Sequence, residues 1–459
     1  MSRTIEEFKQ TLSRSFSLST PLITEQFFGT LMRTVDILIT GLFSPAAIAA
    51  IGIADVYAQL AMRVGQGLGG GAIALSSQDT GGQNFTSRDE AIAQSLLLGL
   101  LFGIPIAIIG VLFGQSALDL LGAPSEVSRL GGLYLAVVLF AAPADIITVV
   151  GSRALQGTGN TRTPMYILIA ANILNIVGSI LLGLGIGPFP ELSILGVGIA
   201  TAIAEYFSAI LVLFALFSTG VLTTSKLPRN LTITRQLLVI STPQMVSGIV
   251  TTAVYLPFNA LLLLFGIEVT AAYHIGRRMY HQLTGPFYRA YGTVSSIVVG
   301  QAIGKGDLKQ ARFEGWFTAG ISIVLLTISG FVLFVKSEFL VSIFTSDPLT
   351  IYHATNFAKS FSVAIIFISL YFSLSGALHG AGDAMTPFIA RTTGFFGIFL
   401  GLSYLLSVPL NFGVFGIYVG IVCSYFWMAS IVVYGFYSDK WELQAIDFME
   451  KRYHSVTNK

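Results

Sequence analysis

Apolar residues in this chain come in runs of about twenty, broken by short polar, glycine- or proline-containing stretches, rather than in the narrow stripes of helices that cover a soluble core. A bilayer core of roughly 30 Å needs a run of that length, so the pattern predicts about twelve membrane-spanning helices. They fall at about 19–43, 47–76, 90–113, 127–155, 164–185 and 192–218, then 236–265, 269–302, 312–335, 352–380, 386–408 and 412–437. The longest break, STGVLTTSKLPRNLTITRQ (218–236), contains Pro228 and a cluster of charge. The expected layout is an N-lobe over 1–217, a cytoplasmic linker over 218–235, a C-lobe over 236–439 and a cytoplasmic tail over 440–459.

Composition agrees with an all-α polytopic membrane protein: 54% of residues are hydrophobic and 10% charged. A net charge of +2 gives no reason to expect a nucleic-acid partner. The single cysteine, Cys423, sits in an apolar run, which suits packing and excludes a disulfide within the chain. The polar start MSRTIEEFKQTLSRS does not resemble a cleavable leader, so the first span is expected to be an uncleaved anchor. Arg3, Lys9, Arg14, Arg88, Arg153, Arg162, Lys226, Arg229, Arg235, Lys305, Lys309, Arg312, Lys440, Lys451, Arg452 and Lys459 collect on one side of the layout; Arg129 and Lys336 fall on the other. Both termini should therefore face the cytoplasm of a cell (inner or plasma) membrane. The N-x-[ST] matches at Asn84 and Asn230 then lie where the secretory route cannot glycosylate them.

ALQGTGNTRTPM (154–165) returns as ALHGAGDAMTPF (377–388), STP (19–21) returns at 241–243, and SSQDTGGQN (76–84) is echoed by VGQAIGKGD (299–307). The whole half is therefore duplicated. An even number of spans per half starts the second copy on the same side as the first, which implies a pseudo-twofold along the membrane normal and two lobes around a central cleft. Such a plan suits alternating access, against a duplicated scaffold without transport. The glycine pairs supply tight turns, and the prolines that follow open the next helix where a missing N–H costs least.

The repeated connectors, the glycine-rich second span, ANILNIVGSILLGLG in the fifth and GVGIATAIAE in the sixth resemble the multidrug and toxic compound extrusion (MATE) transporters over essentially the whole chain. The resemblance implies a V-shaped pair of six-helix bundles that exports amphipathic, often cationic compounds in exchange for protons or sodium ions.

Ionisable residues inside spans are costly and usually face a cavity or a partner. Asp36, in LMRTVDILITG, is the first candidate: it could take a proton from outside and release it inside, or it could merely pair with Arg33 one turn away. In the family, an aspartate at this position couples the N-lobe. Pro21 either bends the first helix or begins it; the family places a proline here. Tyr134, Asn175 and Thr201 could hydrogen-bond a carboxyl in a dry bundle. Where many relatives carry an aspartate four residues after the asparagine, this chain has Ser179. A hard cation prefers several oxygens including carboxylates, so the change favours protons over sodium. Glu205, one turn after Thr201, either restores the lost carboxylate or serves behind the site or at the interface. Glu25, close to three turns before Asp36, could receive the proton or snorkel to the surface. Asp55 and Arg63 are a candidate internal pair.

The seventh and tenth spans contain no acid, which places coupling in the N-lobe alone. His274, Arg277, Arg278 and His281 suit a polar seam, with an anion contact open; two histidines without a carboxylate or cysteine make a poor metal site. GQGLGGGA (65–72) lacks a phosphate-loop lysine and suits close helix packing. Most of the 35 phenylalanines must face lipid or core. The expected function is multidrug efflux by proton antiport, sodium being less favoured, without a cofactor or resident metal, by a monomer. A lipid-linked glycan or lipid flippase is the nearest rival and should show a more basic cleft. A major-facilitator transporter lacks its usual basic signature here, and an intramembrane enzyme lacks a nucleophile with a base or a metal cluster.

Overall fold

The computed structural model describes residues 5–222 and 230–457. Arg3, Lys226, Arg229, Lys459 and the middle of the expected linker (223–229), with Pro228, lie outside the described residues. Among those described there is no strand. The helices are α1 (Ile5–Thr40), α2 (Pro45–Gly81), α3 (Phe85–Leu120), α4 (Ser125–Phe140), α5 (Ala142–Gly157), α6 (Arg162–Leu184), α7 (Ile194–Ser218) and α8 (Leu231–Leu263). They continue as α9 (Ile267–Gly304), α10 (Leu308–Ser342), α11 (Pro348–Val363), α12 (Ile365–Ala381), α13 (Met385–Thr393), a π-helical segment (Gly394–Leu402), α14 (Ser403–Ser407), α15 (Val414–Tyr437) and α16 (Lys440–Thr457).

Every span expected from the apolar runs coincides with a long helix or a broken pair of helices. Eight stretches are long and apolar enough to cross a membrane, and two bent pairs, α4–α5 at 43° and α11–α12 at 50°, bring the number to ten among the described residues. The 36-residue α1 and the 38-residue α9 have the length but carry charge along it: Glu25, Arg33 and Asp36 on one, Arg277, Arg278 and Arg289 on the other.

The apolar runs did not reveal the breaks. Pro143, in the first turn of α5, has no N–H to continue the ladder of α4. The second break has no proline; Ser360 and Ser362 instead donate to the carbonyls of Asn356 (2.8 Å) and Ala358 (2.9 Å), a back-bonding that bends helices.

The chain forms two compact units. One holds Met1–Ile23, Gly81–Gln83 and Val246–Glu450; the other holds Thr24–Thr80, Asn84–Met245 and Lys451–Lys459. They are called here the second-half and first-half units. The core of the first-half unit is built from Leu68, Ile92, Ile146, Val150, Leu155 and Val212, with a second cluster around Ala50, Leu118, Leu135 and Ile194. The glycine patch of α2 is a close-packing surface, as expected: a Cβ on Gly67 would meet Met245 Cγ at 2.3 Å, and one on Gly71 would meet Ser241 Oγ at 2.5 Å.

The duplicated connectors fold identically. Gly159 and Gly382 take positive φ of 95° and 93°. Asn160 Oδ1 then accepts from the Thr163 N–H at 3.1 Å, and Asp383 Oδ1 from the Thr386 N–H at 3.0 Å. The other echo ends in Asn84 and Asp307, which cap α3 and α10 through the N–H groups of Ser87 (3.4 Å) and Gln310 (2.8 Å). At all four places a short Asn or Asp side-chain oxygen reaches an N–H three residues ahead.

Candidate functional site

The first-half unit brings residues from α1, α4, α6 and α7 to Asp36. On α6, Asn175 and Ser179 stand one turn apart on one face, 1% and 0% exposed. Ser179 Oγ donates to Asp36 Oδ1 at 3.4 Å, and Thr40 Oγ1 donates to the Asp36 backbone carbonyl. Asn175 Nδ2 donates to Thr201 Oγ1 at 3.0 Å, which in turn donates to the Val197 carbonyl at 2.9 Å. Asn175 Oδ1 is buried and accepts no hydrogen bond. Small residues let these helices close: a Cβ on Gly178 of α6 would lie 2.9 Å from Ala200 of α7, and one on Gly198 of α7 would lie 3.1 Å from the Tyr134 ring of α4. Tyr134 is buried and in electrostatic reach of Asp36 and Asp55.

Charge spreads beyond the expected residues. Arg33 is in electrostatic reach of Asp36, Asp55, Asp145 and Glu205, four carboxylates on α1, α2, α5 and α7. Asp145 went unnoticed in the sequence; its signal is an acid inside the apolar run AAPADIITVV. Glu205 is in electrostatic reach of Asp145 as well as of Arg33. Arg33 rather than Arg63 is the cation in electrostatic reach of Asp55, while Arg63 donates to Gln66 at 3.1 Å. Arg33, weighed in the sequence only as a partner for Asp36, is thus in electrostatic reach of a group of carboxylates.

Glu25 and Pro21 belong elsewhere. Gln156 of α5, fully buried, donates to Glu25 Oε2 at 3.0 Å and is bonded by Arg153 Nη1 at 3.1 Å, so the half-buried Glu25 is tied to α5. Pro21 lies in the interior of α1, which begins at Ile5, so it does not start the helix and instead removes one backbone hydrogen bond. In the second-half unit, His274 Nε2 pairs with Asn259 Oδ1 at 3.1 Å, His281 Nδ1 with the Tyr288 hydroxyl at 2.9 Å, and Arg277 stacks 4.1 Å from the Tyr255 ring. Among the described residues no group of three or more His, Cys, Asp or Glu could hold a metal ion.

Long apolar helices with a cluster of carboxylates, hydroxyls and a guanidinium among them define a multi-pass helical membrane protein with a polar site in its first half. The chain belongs to the MatE family, whose profile matches residues 21–181 and again 243–405, once in each duplicated half. Proteins named probable multidrug resistance protein NorM are similar to it: that of Thermotoga maritima is 23% identical over 96% of this chain and 95% of its own length, and that of Photorhabdus laumondii 27% over 92% and 93%. Among solved structures, a MOP superfamily transporter from Pyrococcus furiosus superposes with a TM-score of 0.86 at 18% identity, covering 95% of this chain and 96% of that one. A MATE structure in a bent conformation gives 0.83, with coverage of 96% and 97%.

Proposed function

We propose that the protein is a multidrug efflux antiporter that exports amphipathic, often cationic compounds by alternating access, driven by protons rather than sodium, with both termini in the cytoplasm. It is a transporter and not an enzyme. The names of its relatives support the substrate class. The observation that carries the coupling is Asp36, hydrogen-bonded by a neutral Ser179 and sharing Arg33 with three other carboxylates. With four acids to one guanidinium, the cluster has excess negative charge that either protons or a cationic compound relieves. The two therefore compete. A protonated Asp36 becomes a hydrogen-bond donor, and the unpartnered Asn175 Oδ1 on the same face as Ser179 supplies an acceptor for a rearranged bundle. Since a ligand shifts an equilibrium only through its differential affinity, the proton must favour the state that releases the drug outward.

The test is uptake of a fluorescent cationic dye into inverted vesicles under an imposed proton or sodium gradient, for wild type and Asp36→Asn. Accumulation driven by protons and lost in the variant is expected. Accumulation driven only by sodium would overturn the proton reading and direct attention to Glu205; no movement under either gradient would overturn the multidrug reading.

A further inference from the structure

The second-half unit contains a cavity of about 770 Å³ between α11 and α15, which no residue of the Asp36 cluster lines. Val363, Phe415, Val419 and Val422 make much of its wall apolar, and Lys359 and Asn356 bring donors to it. A hydrogen bond between His353 Nδ1 and the Tyr418 hydroxyl, 2.7 Å, ties the two helices together at the same cavity.

Lys359 is the residue that calls for a ligand. It stands eleven residues past Pro348, roughly 16 Å along α11 at 1.5 Å per residue, too deep for its four-carbon stem to carry the ammonium back to the start of the helix. No described carboxylate forms an ion pair with it; its one charge-related contact is the Phe334 ring, 5.7 Å away. A cation at that depth is costly, and a ring face offsets only part of the cost. A small inorganic anion would neutralise the charge but leave the valine and phenylalanine wall without a partner. The volume falls within the range of ordinary ligand pockets, roughly 300–1,000 Å³.

We propose that this cavity binds an amphipathic anion, with its carboxylate or phosphate at Lys359 Nζ and the Asn356 amide and its hydrocarbon part along Val363, Phe415, Val419 and Val422. The anionic group can come from a phospholipid headgroup or from a free amphipathic acid. The site is independent of the Asp36 cluster and of the ion that drives transport.

Calorimetric titration of the full-length protein in dodecyl maltoside tests the proposal, with laurate as the free acid and dihexanoyl phosphatidylglycerol as the headgroup. At least one probe should bind wild type saturably, and Lys359→Gln should weaken it about tenfold or more, while Lys359→Arg retains binding. Asn356→Ala, which leaves the charge in place, should weaken it less. Cys423, the only cysteine, also lines the cavity, so the bound probe should slow its alkylation by N-ethylmaleimide in wild type and not in Lys359→Gln. Binding of laurate alone assigns a free acid, and binding of phosphatidylglycerol alone assigns a lipid. Binding of neither, or equal binding to wild type and Lys359→Gln, overturns the site.

Discussion

Replacing Arg452 by methionine should destabilise the first-half unit more than any other change in the last helix. Arg452 is 1% exposed, and its guanidinium bonds Asp79 Oδ1 at 3.0 Å, Gln78 Oε1 at 2.8 Å and Gln236 Oε1 at 3.1 Å. Asp79 is 3% exposed. Methionine fills most of the stem volume but leaves the Asp79 carboxylate and two amide oxygens without the donor. Breaking a buried ion pair from one side costs about 3–5 kcal/mol. An unfolding entropy of about 2.1 cal/mol/K per residue makes one kcal/mol worth about 1 °C for a chain of this length, so Tm in detergent should fall by about 3–5 °C. Asp79→Leu in the same background removes the orphaned charge and should recover most of the loss, because an apolar pair of similar volume is close to neutral there. The assay is thermal unfolding of wild type, both single variants and the double variant. A single variant within 1 °C of wild type, or a double variant as unstable as the sum of the singles, would refute the reasoning.

Ser179→Asp sets a second carboxylate beside Asp36, whose Oδ1 is 3.4 Å from the Ser179 hydroxyl, and should let a sodium gradient drive dye uptake that wild type lacks; unchanged ion dependence would count against the role given to Ser179. Gly376→Ala puts a methyl 1.9 Å from the Gly292 carbonyl, so α12 and α9 must separate, at about 1–3 kcal/mol read as a lower Tm; a Tm within 1 °C of wild type would contradict that packing. Asp347 caps α11 by accepting from the Thr350 N–H at 2.8 Å, and hydrogen bonding from the Thr350 side chain, together with that N–H, holds its exposed carboxyl below the usual range. Its contribution is therefore present above the unfolded carboxyl pKa and lost as pH falls through the folded one. Asp347→Ala should be less stable than wild type at neutral pH and indistinguishable from it in strong acid, as checked by Tm across pH.

The repeated connectors show how far local sequence reached. Asn160 and Asp383, like Asn84 and Asp307, act on N–H groups three residues away, so a short stretch of sequence contained the whole interaction. The spans were legible for the same reason: in hydrocarbon the backbone must satisfy itself within each segment, and an apolar run of sufficient length has little choice but a helix. Asp36, Asn175, Ser179 and Thr201 were legible as polar exceptions to those runs, and their family positions supplied the pairing.

What depended on the tertiary structure was which exceptions meet. Asp145 and Glu205 are separated by sixty residues of chain, and only the packing of α5 and α7 around α1 makes both neighbours of Arg33. Arg452 looked like one more cytoplasmic basic residue until α16 folded and buried it against Asp79, far away in sequence. The break at Ala364 has no proline to announce it, because serine back-bonding depends on the rotamers the packed bundle selects. Sequence by itself determined the spans and the turns of the repeated connectors, because bilayer insertion and turn chemistry are local. Charge pairing was decided by the fold, because Coulomb energy depends on distance in space and low dielectric, and neither is written in the spacing along the chain.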